Sequence, residues 1–178
     1  MENCILERKI SQKKVEAFEN DMGSEKLTNT GEEISYKRMG MRDSLPYLVT
    51  YEFVADSVIH VKYSWSNLPG QKDEMINCLT DLTALLKKRT GSDPILNSDR
   101  HRKEADYSTR IDFTDTYSWN KTKSTDYTAW MLFHDSGRQG ESYLLLEIYF
   151  DDWFMKEKVY YLKKTVLYGY KKTRLCKL

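Results

Sequence analysis

Between residues 47 and 150 several segments alternate apolar and polar side chains with a period of two, and they flank residues 71–90, where the period lengthens to that of a helix. A period of two buries one face of a strand, and a period near 3.6 buries one stripe of a helix. Strands that follow one another without intervening helices pair antiparallel and need a layer to cover their apolar face. This pattern predicts an α+β fold: an antiparallel meander of about five to seven strands on a long amphipathic helix and a shorter N-terminal one.

The helical stretch is the clearest element. Met75, Leu79, Leu82 and Leu86 make one stripe, widened by Ile76 and Leu85. Asp73 and Glu74 begin it, Lys87, Lys88 and Arg89 end it as the helix dipole favours, and Gly91 and Pro94 stop it. Upstream, Leu6, Ile10 and Phe18 predict a helix within residues 5–20, residues 21–33 read as a surface loop, and 34–38 as a short strand.

Val49, Tyr51 and Phe53, then Ile59, Val61, Tyr63 and Trp65, predict a hairpin turning at Ala55-Asp56-Ser57 without the Asn-Gly or Asp-Gly pair that favours such turns. Residues 97–106 are polar throughout and read as a loop or a solvated helical turn. Three further strands follow, marked by Tyr107, Ile111 and Phe113, by Tyr127, Ala129, Met131 and Phe133, and by Leu144, Leu146, Ile148 and Phe150, the last apolar enough to be central. Tyr-Ser-Trp occurs at 63–65 and again at 117–119. Three shared residues with no longer period behind them favour coincidence over a duplicated unit.

The 178 residues, 40% hydrophobic and 13% aromatic, suffice for a single domain over 1–178. No apolar run, residues 143–146 included, comes near the length of a transmembrane segment. The first ten residues lack a secretory apolar core, which fits a cytoplasmic chain or an extracytoplasmic one whose leader has been removed. Cys4, Cys78 and Cys176 match no zinc spacing or disulfide framework, with Cys78 expected as a small apolar group in the helix.

The eight glycines form no phosphate-binding loop or nucleophile elbow, and the metalloprotease His-Glu-x-x-His is absent. Of the histidines, His60 is expected on the solvent face of its strand, while His134 beside Asp135 is a candidate oriented base. Glu147, Asp151, Asp152, Asp112 and Asp115 cluster at strand ends, where a polar rim accounts for them better than a calcium site. No cofactor or metal is expected.

Charge is unevenly distributed. Residues 156–178 hold eight Lys or Arg against one Glu, net +7, leaving twenty basic and twenty-six acidic residues, net −6, on the rest. Lys163, Lys164, Lys171 and Lys172 are interleaved with tyrosines, a combination that protects a sheet edge, docks an acidic partner or holds single-stranded nucleic acid weakly. Val159, Tyr161, Leu162, Val166 and Leu167 predict that this tail packs on the sheet. The overall pI near 7.6 argues against a dedicated nucleic-acid domain. The expected function is a non-catalytic bacterial interaction module that presents a sheet face and aromatic loops to a protein partner. Trp65, Tyr117, Trp119 and Trp153 are its candidate binding aromatics, with the four lysines alongside. The alternatives are a small enzyme with a site assembled from scattered His and carboxylate residues, and nucleic-acid binding through the tail.

Overall fold

The computed structural model describes residues 10–39, 45–66, 72–105, 108–120, 127–135 and 142–150. Among these residues it is an α+β structure with two helices and one eight-stranded antiparallel sheet, one strand more than the upper expectation from sequence. In chain order the elements are α1 (Gln12–Asp21), β1 (Glu25–Asn29), β2 (Glu33–Arg38), β3 (Tyr47–Val54), β4 (Ser57–Ser66), α2 (Lys72–Thr90), β5 (Ile95–Ala105), β6 (Ser108–Trp119), β7 (Thr128–Asp135) and β8 (Ser142–Tyr149). The strands lie in the order β1-β2-β3-β4-β8-β7-β6-β5. The sheet is therefore two four-stranded meanders joined through β4 and β8, not one meander.

Two segments expected as loops are edge strands. Residues 25–29 form β1 and residues 95–105 form β5, each paired with the next strand in sequence. Every residue of β1 is exposed, as are Ile95 to Ser98 of β5, so these described stretches show no buried face to write a period of two into the sequence.

One face of the sheet carries the core. The strictly paired row Tyr36, Val49, Tyr63, Leu146, Met131 and Tyr117 crosses six strands, and Ile34, Tyr51, Val61, Ile148, Ala129 and Trp119 form the next row. All but Tyr117 are buried in one cluster with Val15 of α1 and Met75, Leu82 and Leu86 of α2, so both helices cover this face. The helical stripe holds as expected except at Ile76, which is exposed. In β4 a bulge opposite Glu52 and Phe53 inserts Ile59, so Val58 takes the core position expected for Ile59.

Local chemistry fixes the helix docking. The β3–β4 turn puts Ala55 and Asp56 both at positive φ, 48° and 61°, the two-residue hairpin geometry usually built from Asn-Gly. It is tied to the start of α1, since Asp56 Oδ1 accepts from the Gln12 N–H at 2.9 Å and the Val58 N–H donates to the Ile10 carbonyl at 3.0 Å. Ser11 caps the same helix. Further along α1, Glu19 is fully buried and receives Arg38 Nε at 2.8 Å, Arg38 Nη2, the Tyr51 hydroxyl and Ser24 Oγ at 2.5 Å.

Candidate functional site

The opposite face of the sheet has neither helix over it. Alternation brings Lys37, Leu48, Ser64, Leu145, Leu132 and Thr116 into one row across β2, β3, β4, β8, β7 and β6. Flanking rows hold Ser35, Thr50, Lys62, Glu147, Trp130 and Ser118 on one side and Ser66, Tyr143, His134 and Thr114 on the other. Over β2, β3, β4 and β8 this surface forms a groove of about 510 Å³. Leu48 and Leu145 give it an apolar floor, Ser64 and Tyr143 offer hydroxyls, and Lys37 and Lys62 supply positive charge. Pro46, Tyr47 and Trp65 close one end. No Asp or Glu is among its described lining residues, and neither lysine makes an ion pair with another described residue. Leu48 and Tyr143 are 43% and 44% exposed, which marks the groove as open for contact rather than sealed core.

Beside the groove lies a buried polar cluster. His60 has Glu52 Oε1 3.0 Å from Nδ1 and Glu147 Oε1 3.7 Å from Nε2, neither aligned as a hydrogen bond. Its ring stacks on Tyr149 at 4.3 Å and 9°, and the Tyr149 hydroxyl donates to Glu147 Oε2 at 2.7 Å. Burial, then the charge and hydrogen bond of Glu147, push the Tyr149 phenol well above the usual tyrosine range and keep it a donor. An imidazole between two carboxylates can neutralise them or exchange protons with a bound molecule. The expectation that His60 faces solvent is corrected: it points away from the helices but is buried, only 2% exposed, with the Tyr149 ring stacked on it.

His134 also stands on the helix-free face. Its ring stacks on Tyr143 at 5.0 Å, and Nδ1 lies 2.9 Å from Thr114 Oγ1. The residue that orients this imidazole comes from the neighbouring strand β6, a relation that sequence adjacency to Asp135 does not reveal. Among the described residues, no group of three or more His, Cys, Asp or Glu side chains is arranged to hold a metal ion.

The structure separates the aromatic candidates. Trp65 and Trp119 are core residues, Trp65 touching the groove only at its end. Tyr117 is half-buried against the core, where burial and then the charge of Asp115 raise its phenol. Trp130, on the helix-free face, is half-buried. Cys78 is a half-buried thiol in α2 outside any disulfide. Trp153, Lys163, Lys164, Lys171 and Lys172, the packed-tail expectation, and Cys4 and Cys176 lie outside the described residues.

The groove residues Lys37, Leu48, Lys62, Tyr143 and Leu145 were not singled out by sequence reasoning. Their only local signal is the outward position in each alternation. What joins them is the β4–β8 pairing, which sets Lys62 opposite Glu147 across more than eighty residues of chain. No helix among the described residues is long and apolar enough to cross a membrane. No family model, no curated protein and no solved structure matches this chain.

Proposed function

We propose that this protein is a non-catalytic binding module and that the helix-free face of its sheet receives a protein partner in the groove over β2, β3, β4 and β8. The observation that carries this reading is the groove itself: apolar side chains are left open to contact, beside hydroxyls and two lysines with no ion-pair partner among the described residues. Interfaces combine an apolar centre with a polar rim in this way. A rigid sheet backed by two helices holds that surface in place without help from mobile loops.

The test is an amide-shift screen of the intact chain against extended peptides that differ in charge and apolar content. Movement of the Leu48, Ser64 and Leu145 amides, with the Val15 and Tyr51 amides unmoved, supports the reading. A groove silent to every class of peptide would sink it.

A catalytic reading is favoured by one specific observation, the buried His60 flanked by Glu52, Glu147 and Tyr149. Turnover of any ester, phosphoester or glycoside in a broad hydrolase screen, abolished by His60→Ala in a folded protein, would put that reading first.

A further inference from the structure

We infer that the groove on the helix-free face is selective for an acidic, extended protein segment in which two carboxylates flank one apolar side chain. The inference rests on the binding reading above and narrows it to a partner chemistry.

Charge is the first reason. Lys37 and Lys62 are exposed at the groove and make no ion pair with another described residue, although each has a carboxylate opposite it in the strand register. Glu25 faces Lys37 across β1 and β2, and Glu147 faces Lys62 across β4 and β8. Glu147 is turned away into the buried cluster, held by the Tyr149 hydroxyl at 2.7 Å. Glu25 lies on the exposed edge strand, outside the groove lining. Both ammonium groups are therefore available to an incoming anion, and the described lining holds no acid to repel it.

Spacing is the second reason. Lys37 and Lys62 stand two strands apart and one row apart on the same face. With strands about 4.8 Å apart and same-face residues about 6.8 Å apart, their Cα atoms are about 12 Å from each other. Residues four apart on an extended chain share a face and lie about 13 Å apart. The residue midway between them points the same way and lies over Leu48 and Thr50 of β3, with the apolar side chain of Leu48 beneath it. The segment that fits is acid–x–apolar–x–acid, with the Ser64 hydroxyl beside it on β4.

The probes are end-blocked ten-residue peptides: one with Glu-Thr-Leu-Thr-Glu at its centre, one with Gln for both Glu, one with Lys for both Glu, and one with Ser for Leu. Binding to the intact protein is read by amide shifts and by fluorescence anisotropy. The acidic peptide is expected to bind best and to weaken as salt rises, while the Gln and Ser peptides each lose severalfold. Exposed ion pairs of this type make Lys37→Gln and Lys62→Gln cost about two- to fivefold each. Lys37→Glu/Lys62→Glu is expected to reverse the preference toward the Lys peptide, a gain that a misfolded variant could not produce. Equal or better binding of the Gln or Lys peptide in the wild-type groove overturns this inference while leaving the binding reading intact. No groove response to any of the four, with none in the broader screen, overturns both. Binding to anionic phospholipid vesicles that Lys37→Glu/Lys62→Glu abolishes, without peptide preference, also overturns it.

Discussion

Replacing Arg38 with Met is expected to be among the most damaging single changes to the fold, and its cost follows from what the guanidinium leaves behind. Glu19, fully buried on α1, accepts from Arg38 through both Nε and Nη2, with the Tyr51 hydroxyl and Ser24 Oγ completing its shell. Arg38 also lies 5.1 Å from the centre of the Phe18 ring, so its planar group bridges helix and sheet. Without it, a carboxylate stays in the core with two neutral donors. Removing one member of a buried pair costs about 3–5 kcal/mol. For a domain of this size each kcal/mol is worth about 2–4 °C, so Tm should fall by about 6–20 °C. Glu19→Leu should cost a similar amount by stranding the guanidinium. The double variant Glu19→Leu/Arg38→Met removes both charges and should recover most of either loss, since apolar replacements of a buried pair are often neutral. Urea denaturation of the four proteins closes the cycle. A loss below about 1 kcal/mol for Arg38→Met, or a double variant as unstable as the sum of the singles, would refute the view that α1 docks through a desolvated ion pair.

Three further outcomes test the rest of the fold. Burial raises the phenols of Tyr36, Tyr117 and Tyr149 above their ordinary 10.0, so the neutral form is favoured when folded; their stability contribution is complete below pH 10 and lost as pH rises through the folded values. Denaturant midpoints at pH 9 and pH 11 with absorbance at 295 nm check this, and native tyrosines that all titrate at the ordinary value would contradict it. At the β3–β4 turn, Ala55→Asn should stabilise by about 0.5–1 kcal/mol because Asn tolerates the left-handed region better. Asp56→Ala should destabilise by about 1 kcal/mol through the lost hydrogen bond to Gln12 N–H, and urea midpoints moving in the same direction for both would disprove the turn geometry. Finally, single-Trp→Phe variants with acrylamide quenching should show Trp65 and Trp119 shielded and Trp130 more accessible.

Burial pattern decides how much of this molecule is legible before its structure. The α2 stripe and the strands β3, β4, β7 and β8 each bury one face, and the alternation records it: Met75, Leu82, Val49, Tyr51, Met131 and Leu146 all fall where the spacing puts them. The edge strands β1 and β5 are held by backbone pairing while their described side chains stay in water, so a period of two never forms there. Val15 of α1 was passed over for Ile10 and Phe18 because one apolar residue among lysines and glutamates carries little periodic signal. The Glu19–Arg38 pair spans nineteen residues and the groove spans more than a hundred, from Lys37 to Leu145. Contacts of that range depend on which strands neighbour one another, and strand order is not written in local spacing.

That order also shows what the repeated triplet does not. Helix followed by four antiparallel strands occurs twice, α1 with β1 to β4 and α2 with β5 to β8, and the sheet reads alike inward from either edge to the β4–β8 junction. The segments between the second and third strands, residues 39–46 and 120–127, have equal length. Yet Tyr63-Ser64-Trp65 lies on the fourth strand of the first unit and Tyr117-Ser118-Trp119 on the second strand of the other, so the triplets are not equivalent positions. On the helix side the units match in kind, each offering aromatic and aliphatic residues that a helix covers. The helix-free side differs at the junction. There the first unit supplies His60, Lys62 and Ser64, and the second supplies Tyr149, Glu147 and Leu145 opposite them. The groove and the buried histidine cluster both sit where the two units meet, and both depend on the units having unlike side chains on the one face the helices leave open.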